Sequence, residues 1–248
     1  MPVFTDSQGT SQAIGGTAYE FSGVRIEDLG ATEYTLGLII VDTSGSTAGM
    51  RPAMENALKE IVSACRKNPR ADNMMLRVVK FDHTVEEIHG FRPLPDCNES
   101  DYNGCLGTGG GMTALFDACY TSIQSAALYG EQLTKNDFDV NAAVFIITDG
   151  ANNRGTATQK MVKSALADAV ASESLESITS VLIGLNADSN SLDQYLRSLR
   201  DDCGFTQYVS IADANASAIA KLGDFISRSV SSQSQALGTG GPSQSLSF

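Results

Sequence analysis

The sequence predicts a three-layer α/β fold, a mainly parallel sheet with helices on both faces, and three observations predict it. Continuous apolar runs recur along the chain, and segments with apolar residues at helical spacing separate them. The 248 residues are 42% hydrophobic, enough to bury one sizeable core. A strand covered on both faces reads as an unbroken apolar run, whereas a helix lying on a sheet shows one apolar stripe. Alternation of the two is the pattern of parallel strands joined by crossover helices.

Residues 1–17 are rich in Ser, Gly, Gln and Thr and read as a flexible segment. Tyr34 to Val41 (YTLGLIIV) is the first strong apolar run. Met54, Leu58, Ile61, Val62 and Cys65 then recur at three- and four-residue steps, which puts them on one face of a helix. Met74 to Phe81 is a shorter strand candidate, and the more polar Thr84 to Ile88 suits a sheet edge. Ala142 to Thr148 (AAVFIIT) and Ile178 to Leu185 (ITSVLIGL) are again buried strands, and Gln207 to Ile211 is a short one. Helical stripes follow at Met161, Val162, Ala165, Leu166 and Ala169, at Leu192, Tyr195, Leu196 and Leu199, and at Ile219, Leu222, Phe225 and Ile226. The last amphipathic segment runs from Ser217 to Val230, and residues 231–248 (SSQSQALGTGGPSQSLSF) read as a disordered tail. One domain over residues 18–230 is therefore expected between two tails.

Seventeen basic and twenty-nine acidic residues leave a net charge of −12. That balance argues against a nucleic-acid backbone or an anionic membrane surface as partner and leaves cations and basic surfaces. Cys65, Cys97, Cys105, Cys119 and Cys203 contain no CxxC pair and are odd in number, which fits a reducing compartment. Cys97 and Cys105 stand across one loop, but spacing alone fixes no connectivity, and free thiols are expected. The first residues lack the basic start and apolar stretch of a secretory signal, and no apolar run approaches the ~20 residues needed to span a bilayer. A cytoplasmic protein is expected.

Parallel sheets place ligand sites at the carboxyl ends of their strands. There the first strong run ends in Val41-Asp42-Thr43-Ser44-Gly45-Ser46-Thr47. Positions 42, 44 and 46 turn toward one point if the loop curls, and Gly45 allows it to curl. A second buried run closes with Ile146-Ile147-Thr148-Asp149-Gly150, a carboxylate followed by a turn-former. The Gly-rich stretch Gly107-Thr108-Gly109-Gly110-Gly111-Met112-Thr113 delivers a hydroxyl where a helix begins. Hydroxyls with one or two carboxylates suit magnesium, which takes six oxygens and usually keeps some waters.

DxSxS after a buried strand, a Gly-rich loop with a lone Thr, and a later TDG together resemble the von Willebrand factor A family over about residues 18–230. The resemblance implies a doubly wound six-stranded sheet with one antiparallel edge strand and a metal-ion-dependent adhesion site. It assigns Asp42, Ser44 and Ser46 to the first metal loop, Thr113 to the second and Asp149 to the third, with Mg2+ as cofactor and Mn2+ or Ca2+ as alternatives. It further implies a protein partner that supplies a Glu or Asp ligand. The stretch Gly23 to Gly30 and the intracellular character look more like bacterial or phage members, some of tellurite-resistance type. For those a MoxR-type AAA+ ATPase or an operon neighbour is the partner expected.

Two carboxylates and three neutral hydroxyls neutralise a divalent cation without surplus, so it stays electrophilic toward an incoming acid. Hydrolysis needs a proton-shuttling group near the metal, and candidates are few. His83 and His89 are the only histidines. Asp82 and Asp117 read as caps or solvated charges. No GxxxxGK[ST] loop and no G-x-S-x-G elbow is present. Haloacid-dehalogenase-like phosphatases end a strand in Asp too, but Ser44 stands where their second Asp would be. A metal-dependent protein-interaction module that is not an enzyme is the expectation. A metal-dependent phosphoester hydrolase and a structural or assembly subunit are the alternatives.

Overall fold

The computed structural model describes residues 9–172, 174–187, 190–243 and 245–248. The strands in chain order are β1 (Gly9–Ala13), β2 (Glu20–Val24), β3 (Glu33–Asp42), β4 (Met74–Phe81), β5 (Val85–Pro93), β6 (Asp139–Thr148), β7 (Ser177–Leu185) and β8 (Gln207–Ile211). The helices are α1 (Arg51–Arg66), α2 (Leu115–Thr134), α3 (Gln159–Ala171), α4 (Asn190–Cys203) and α5 (Ala216–Thr239). Among the described residues the strands form one eight-stranded sheet in the order β1-β2-β5-β4-β3-β6-β7-β8. From β4 through β3, β6 and β7 to β8 every pairing is parallel, so the fold is α/β as the alternating pattern predicts.

Side chains on a strand alternate between faces, and this divides the core in two. Leu36, Leu38 and Ile40 of β3, with Val144 and Ile146 of β6, lie against α2, α3 and α4. Ile39 and Val41, with Ala143, Phe145 and Ile147, lie against α1 and α5. Burying a large apolar side chain stabilises by about 1.5–3 kcal/mol, so two continuous apolar faces hold β3 and β6 at the centre. The loops at their carboxyl ends are thereby brought side by side.

The sheet departs from the six strands expected. The antiparallel strand β5 is internal, because β2 lies along its outer side and β1 pairs antiparallel to β2. Both added strands are short, and only Phe21 and Gly23 are buried in the two, so neither has an apolar run to announce it. Close approach of β2 depends on Gly90, where a β-carbon would stand 2.1 Å from the Ser22 carbonyl oxygen. Phe21, Phe91 and Tyr129 then meet as an aromatic cluster, the last two stacked at 4.6 Å.

The two expected tails also carry structure. Residues 1–8 lie outside the described residues, but the segment read as flexible is a strand from Gly9, and Ile14 beyond it is buried. At the other end α5 continues to Thr239 and stops at Gly240, which adopts φ 63° and donates its amide to the last turn. The extra turns pack through polar groups. Asn141 Nδ2 donates to the Gln233 carbonyl (2.9 Å) and Arg70 Nε to the Ser234 hydroxyl (3.1 Å). Beyond the helix the Phe248 ring stands edge-on to Phe225 at 5.6 Å. The five cysteines are free thiols, all buried except the half-buried Cys105. No helix among the described residues is long and apolar enough to cross a membrane.

Candidate metal centre at the carboxyl ends of β3 and β6

β3 and β6 pair in register, and their carboxyl ends carry Asp42 on one and Thr148 then Asp149 on the other. Asp42 Oδ1 accepts the Ser44 amide (2.8 Å) and Oδ2 accepts the Thr148 hydroxyl (2.6 Å). The side chain is 1% exposed, and among the described residues no Lys, Arg or His forms an ion pair with it. Burial pushes its pKa up to about 6; the hydrogen bonds oppose that rise and the charge of Asp149 adds to it.

After Asp42 the chain curls through a 3₁₀ turn, Gly45–Gly49, into α1. The curl sets the Ser44 and Ser46 hydroxyl oxygens 3.2 Å apart, and Ser46 Oγ donates to Asp149 Oδ1 (2.7 Å). Burial raises the pKa of half-buried Asp149 as well. The Thr113 hydroxyl oxygen stands 3.4 Å from where a β-carbon on Gly150, the residue after Asp149, would sit. Thr113 and Ser44 are buried and Ser46 is exposed, so the cluster opens to solvent on the Ser46 side. Asp42, Ser44, Ser46 and Asp149 are thus linked in one cluster, and Thr113 lies next to Gly150 at its side.

Neighbouring groups hold the loops that bring them there. Arg51, at the start of α1, turns its guanidinium back onto the Thr43 carbonyl (2.7 Å), the Ser44 carbonyl (3.0 Å) and the Gly107 carbonyl (3.1 Å). It ties the first loop to the Gly-rich one. Gly109 sits so close that a β-carbon would fall 1.7 Å from the Thr43 carbonyl oxygen. Asp82 Oδ2 accepts the Gly110 amide (2.6 Å), and its own carbonyl accepts the Ala114 amide (2.6 Å).

Two acids read from the sequence as caps or solvated charges have a different role. Asp117 is 3% exposed, and its Oδ1 accepts the Thr156 and Ala157 amides while Oδ2 accepts the Tyr19 hydroxyl. Asp82 anchors the Gly-rich loop. Thr148, Arg51, Asn152 and Asn153 also shape the site, and none was singled out: Thr148 stands in the TDG motif but was given no role, and the other three lie outside any motif. His83 pairs with Asp82 (2.8 Å) on the wall of a polar cleft of about 320 Å³ beside the centre, lined also by Thr43, Lys80, Thr108 and Gly110. His89 is buried, with Nδ1 against the Gly90 carbonyl (2.9 Å) and Nε2 against the Tyr102 hydroxyl (2.8 Å).

This donor set fits a hard divalent cation. Two carboxylates stand on either side of hydroxyls, neither has an ion pair among the described residues, and oxygens of this kind suit magnesium. Among the described residues there is no cluster of three or more His, Cys, Asp or Glu placed to hold a metal. A cation held here would have to take hydroxyl oxygens among its ligands.

No protein-family model matches the chain, and no curated protein matches its sequence. Solved structures match its fold. The PilB minor pilin from Streptococcus sanguinis is 14% identical with a TM-score of 0.59, over 93% of this chain and 68% of that one. The pilus adhesin SpaC from Lactobacillus rhamnosus GG is 12% identical with a TM-score of 0.55, over 82% and 31%. Proximal thread matrix protein 1 from the mussel byssus is 18% identical with a TM-score of 0.51, over 81% and 47%, so this chain spans about half of it. A structure of that mussel protein with zinc occupying its MIDAS motif aligns with a TM-score of 0.50 at 18% identity, over 80% and 46%. At such identities the likeness shows the fold alone, an α/β domain.

Proposed function

We propose that this chain is a von Willebrand factor A-type module that holds a divalent cation, Mg2+ in the first place, and binds an acidic side chain of a partner protein through it. Asp42, Ser44, Ser46, Thr113 and Asp149 are the proposed ligands. The observation that carries this function is Asp42, a carboxylate taken out of water with only neutral donors around it. A lone buried charge is costly. A cation entering from the Ser46 side offsets that cost.

The residues have distinct parts. Thr148 and the Ser44 amide fix both oxygens of Asp42, while Ser44 and Ser46 present hydroxyls on one side. Asp149, half-buried and held by Ser46 alone among the ligands, faces them from the residue after β6. With two acids against a divalent charge, the protein adds no surplus negative charge. When bound, the cation supplies a Lewis-acidic contact for an incoming carboxylate. The zinc-occupied MIDAS motif of the mussel protein supports a divalent ion, and the pilus adhesin among the similar folds supports adhesion as the use. We read the site as binding rather than hydrolytic because its five proposed ligands include no proton-shuttling base and His89 is buried against Tyr102; His83, paired with Asp82 beside the centre, is the residue on which a hydrolytic reading would rest.

Calorimetric titration of Mg2+ into the wild type and into Asp149→Asn tests the site: a one-site isotherm is expected in the first and none in the second. Affinity capture with Mg2+ or with EDTA, read by mass spectrometry, tests its use. A partner that is held only with Mg2+, and is lost again in Asp149→Asn, is expected. Equal Mg2+ heats from the two proteins would contradict the assignment.

A further inference from the structure

The loop after β6 is polar and exposed, with no helix or strand from 151 to 157, yet it is tied closely to the start of α2. Asn153 Oδ1 accepts the Thr113 amide (2.8 Å), and the Asn153 amide donates to the Thr113 carbonyl (3.0 Å). Asn152 Oδ1 accepts the Phe116 amide (2.9 Å). Asp117 closes the far end of the loop through the Thr156 and Ala157 amides (2.9 and 2.6 Å).

We propose that Asn153 is a positioning residue for the metal centre: by gripping the peptide groups on both sides of Thr113 it aims the Thr113 hydroxyl at Asp149. This rests on the metal-binding function proposed above. Thr113 lies just before α2, where an amide has no helical carbonyl to bond, and Asn153 supplies the acceptor. On its other side Thr113 follows three consecutive glycines and the exposed Met112; Asp82 ties down Gly110 before it and Ala114 after it, while the amide and carbonyl of Thr113 itself bond to Asn153. Asn153 is only four residues beyond Asp149. Its grip therefore sets the spacing of Thr113 and Asp149 through a short piece of chain, rather than through the long connection between β5 and α2. Asn152 and Asp117 hold the same two segments together without touching Thr113, and they serve as internal controls.

Asn153 is exposed, so its side chain can be removed with little effect on the core. The test is Mn2+ binding to the full chain, with its effect on water-proton relaxation, for wild type, Asn153→Ala, Asn152→Ala, Thr113→Ala and the Asn153→Ala/Thr113→Ala double variant. Thermal midpoints in EDTA are measured alongside. Asn153→Ala is expected to weaken Mn2+ about five- to tenfold, the worth of one ordinary hydrogen bond, with its EDTA midpoint close to the wild type. Water relaxation by the bound ion should rise as water takes the hydroxyl's place. The double variant should bind no more weakly than Thr113→Ala, because Asn153 acts through that residue. Wild-type affinity in Asn153→Ala, an equal loss in Asn152→Ala, or additive losses in the double variant would each overturn this role and leave the metal site standing. Absence of Mn2+ binding in the wild type would instead overturn the metal site, and this role with it.

Discussion

Asp42 and Glu87 are both carboxylates drawn out of water beside the sheet, and the protein satisfies them in opposite ways. Glu87, on β5, is 14% exposed and takes Arg77 Nε at 2.7 Å, together with the amide and hydroxyl of Ser22. Arg77 is 2% exposed and lies over the Phe91 ring, so the pair joins β2, β4 and β5 from inside. Asp42 is buried more deeply and receives only a hydroxyl and an amide. A carboxylate supplied with its own cation is architecture. One left with neutral donors is, in the function proposed above, the ligand of a cation from outside.

The contrast breaks most strongly at Glu87. Replacing it with Ala strands the Arg77 charge, and removal of one partner from a buried pair costs about 3–5 kcal/mol. Urea unfolding of Glu87→Ala should show that loss, while calorimetry should find Mg2+ affinity close to the wild type. His89 sharpens the contrast from the basic side, being a buried titratable group that also has neutral partners. Burial lowers its pKa to about 4, below the unfolded value of about 6.5. The stability gained by keeping it neutral is complete above about pH 6.5 and is lost as pH falls toward 4, by up to about 3 kcal/mol. Unfolding free energies of wild type minus His89→Gln, measured across that window, should fall by that amount; a flat difference would contradict the burial.

Asp42→Asn tests the other half of the comparison. At pH 7 in EDTA it should be at least as stable as the wild type, because a buried charge with no cation is removed. The stabilisation the wild type gains from Mg2+, about 2.7 kcal/mol at a hundredfold excess over Kd, should vanish from its melting curve. The smallest expected effect is at Gly150. A methyl there sits 3.4 Å from the Thr113 hydroxyl oxygen, so Gly150→Ala should weaken Mg2+ a few-fold in the same titration and barely change the midpoint in EDTA.

How much was legible in the sequence follows the same division between apolar and polar packing. β3, β6 and β7 announce themselves because strands buried on both faces must be apolar at successive positions, and the stripes of α1, α3 and α5 are read as readily. β1, β2 and the last turns of α5 were missed for the converse reason. They dock through Ser22, Gln233, Ser234 and a missing side chain at Gly90, and such contacts leave no periodicity. Of the proposed ligands, Asp42, Ser44 and Ser46 follow one strand end, Asp149 follows another and Thr113 closes the Gly-rich loop before α2, so three motifs could be picked out together. Arg51 and Asn153 belong to no motif, and the part of Thr148 within TDG is not set by the motif; their roles depend on which carbonyl, amide or carboxylate the fold brings opposite them.

Crystals grown with Mn2+ and measured at the manganese absorption edge test the central claim most directly. A single anomalous peak bounded by the hydroxyls of Ser44, Ser46 and Thr113 and the carboxylates of Asp42 and Asp149 is the predicted result. A map with no peak there, or with its strongest peak away from those five residues, would contradict it.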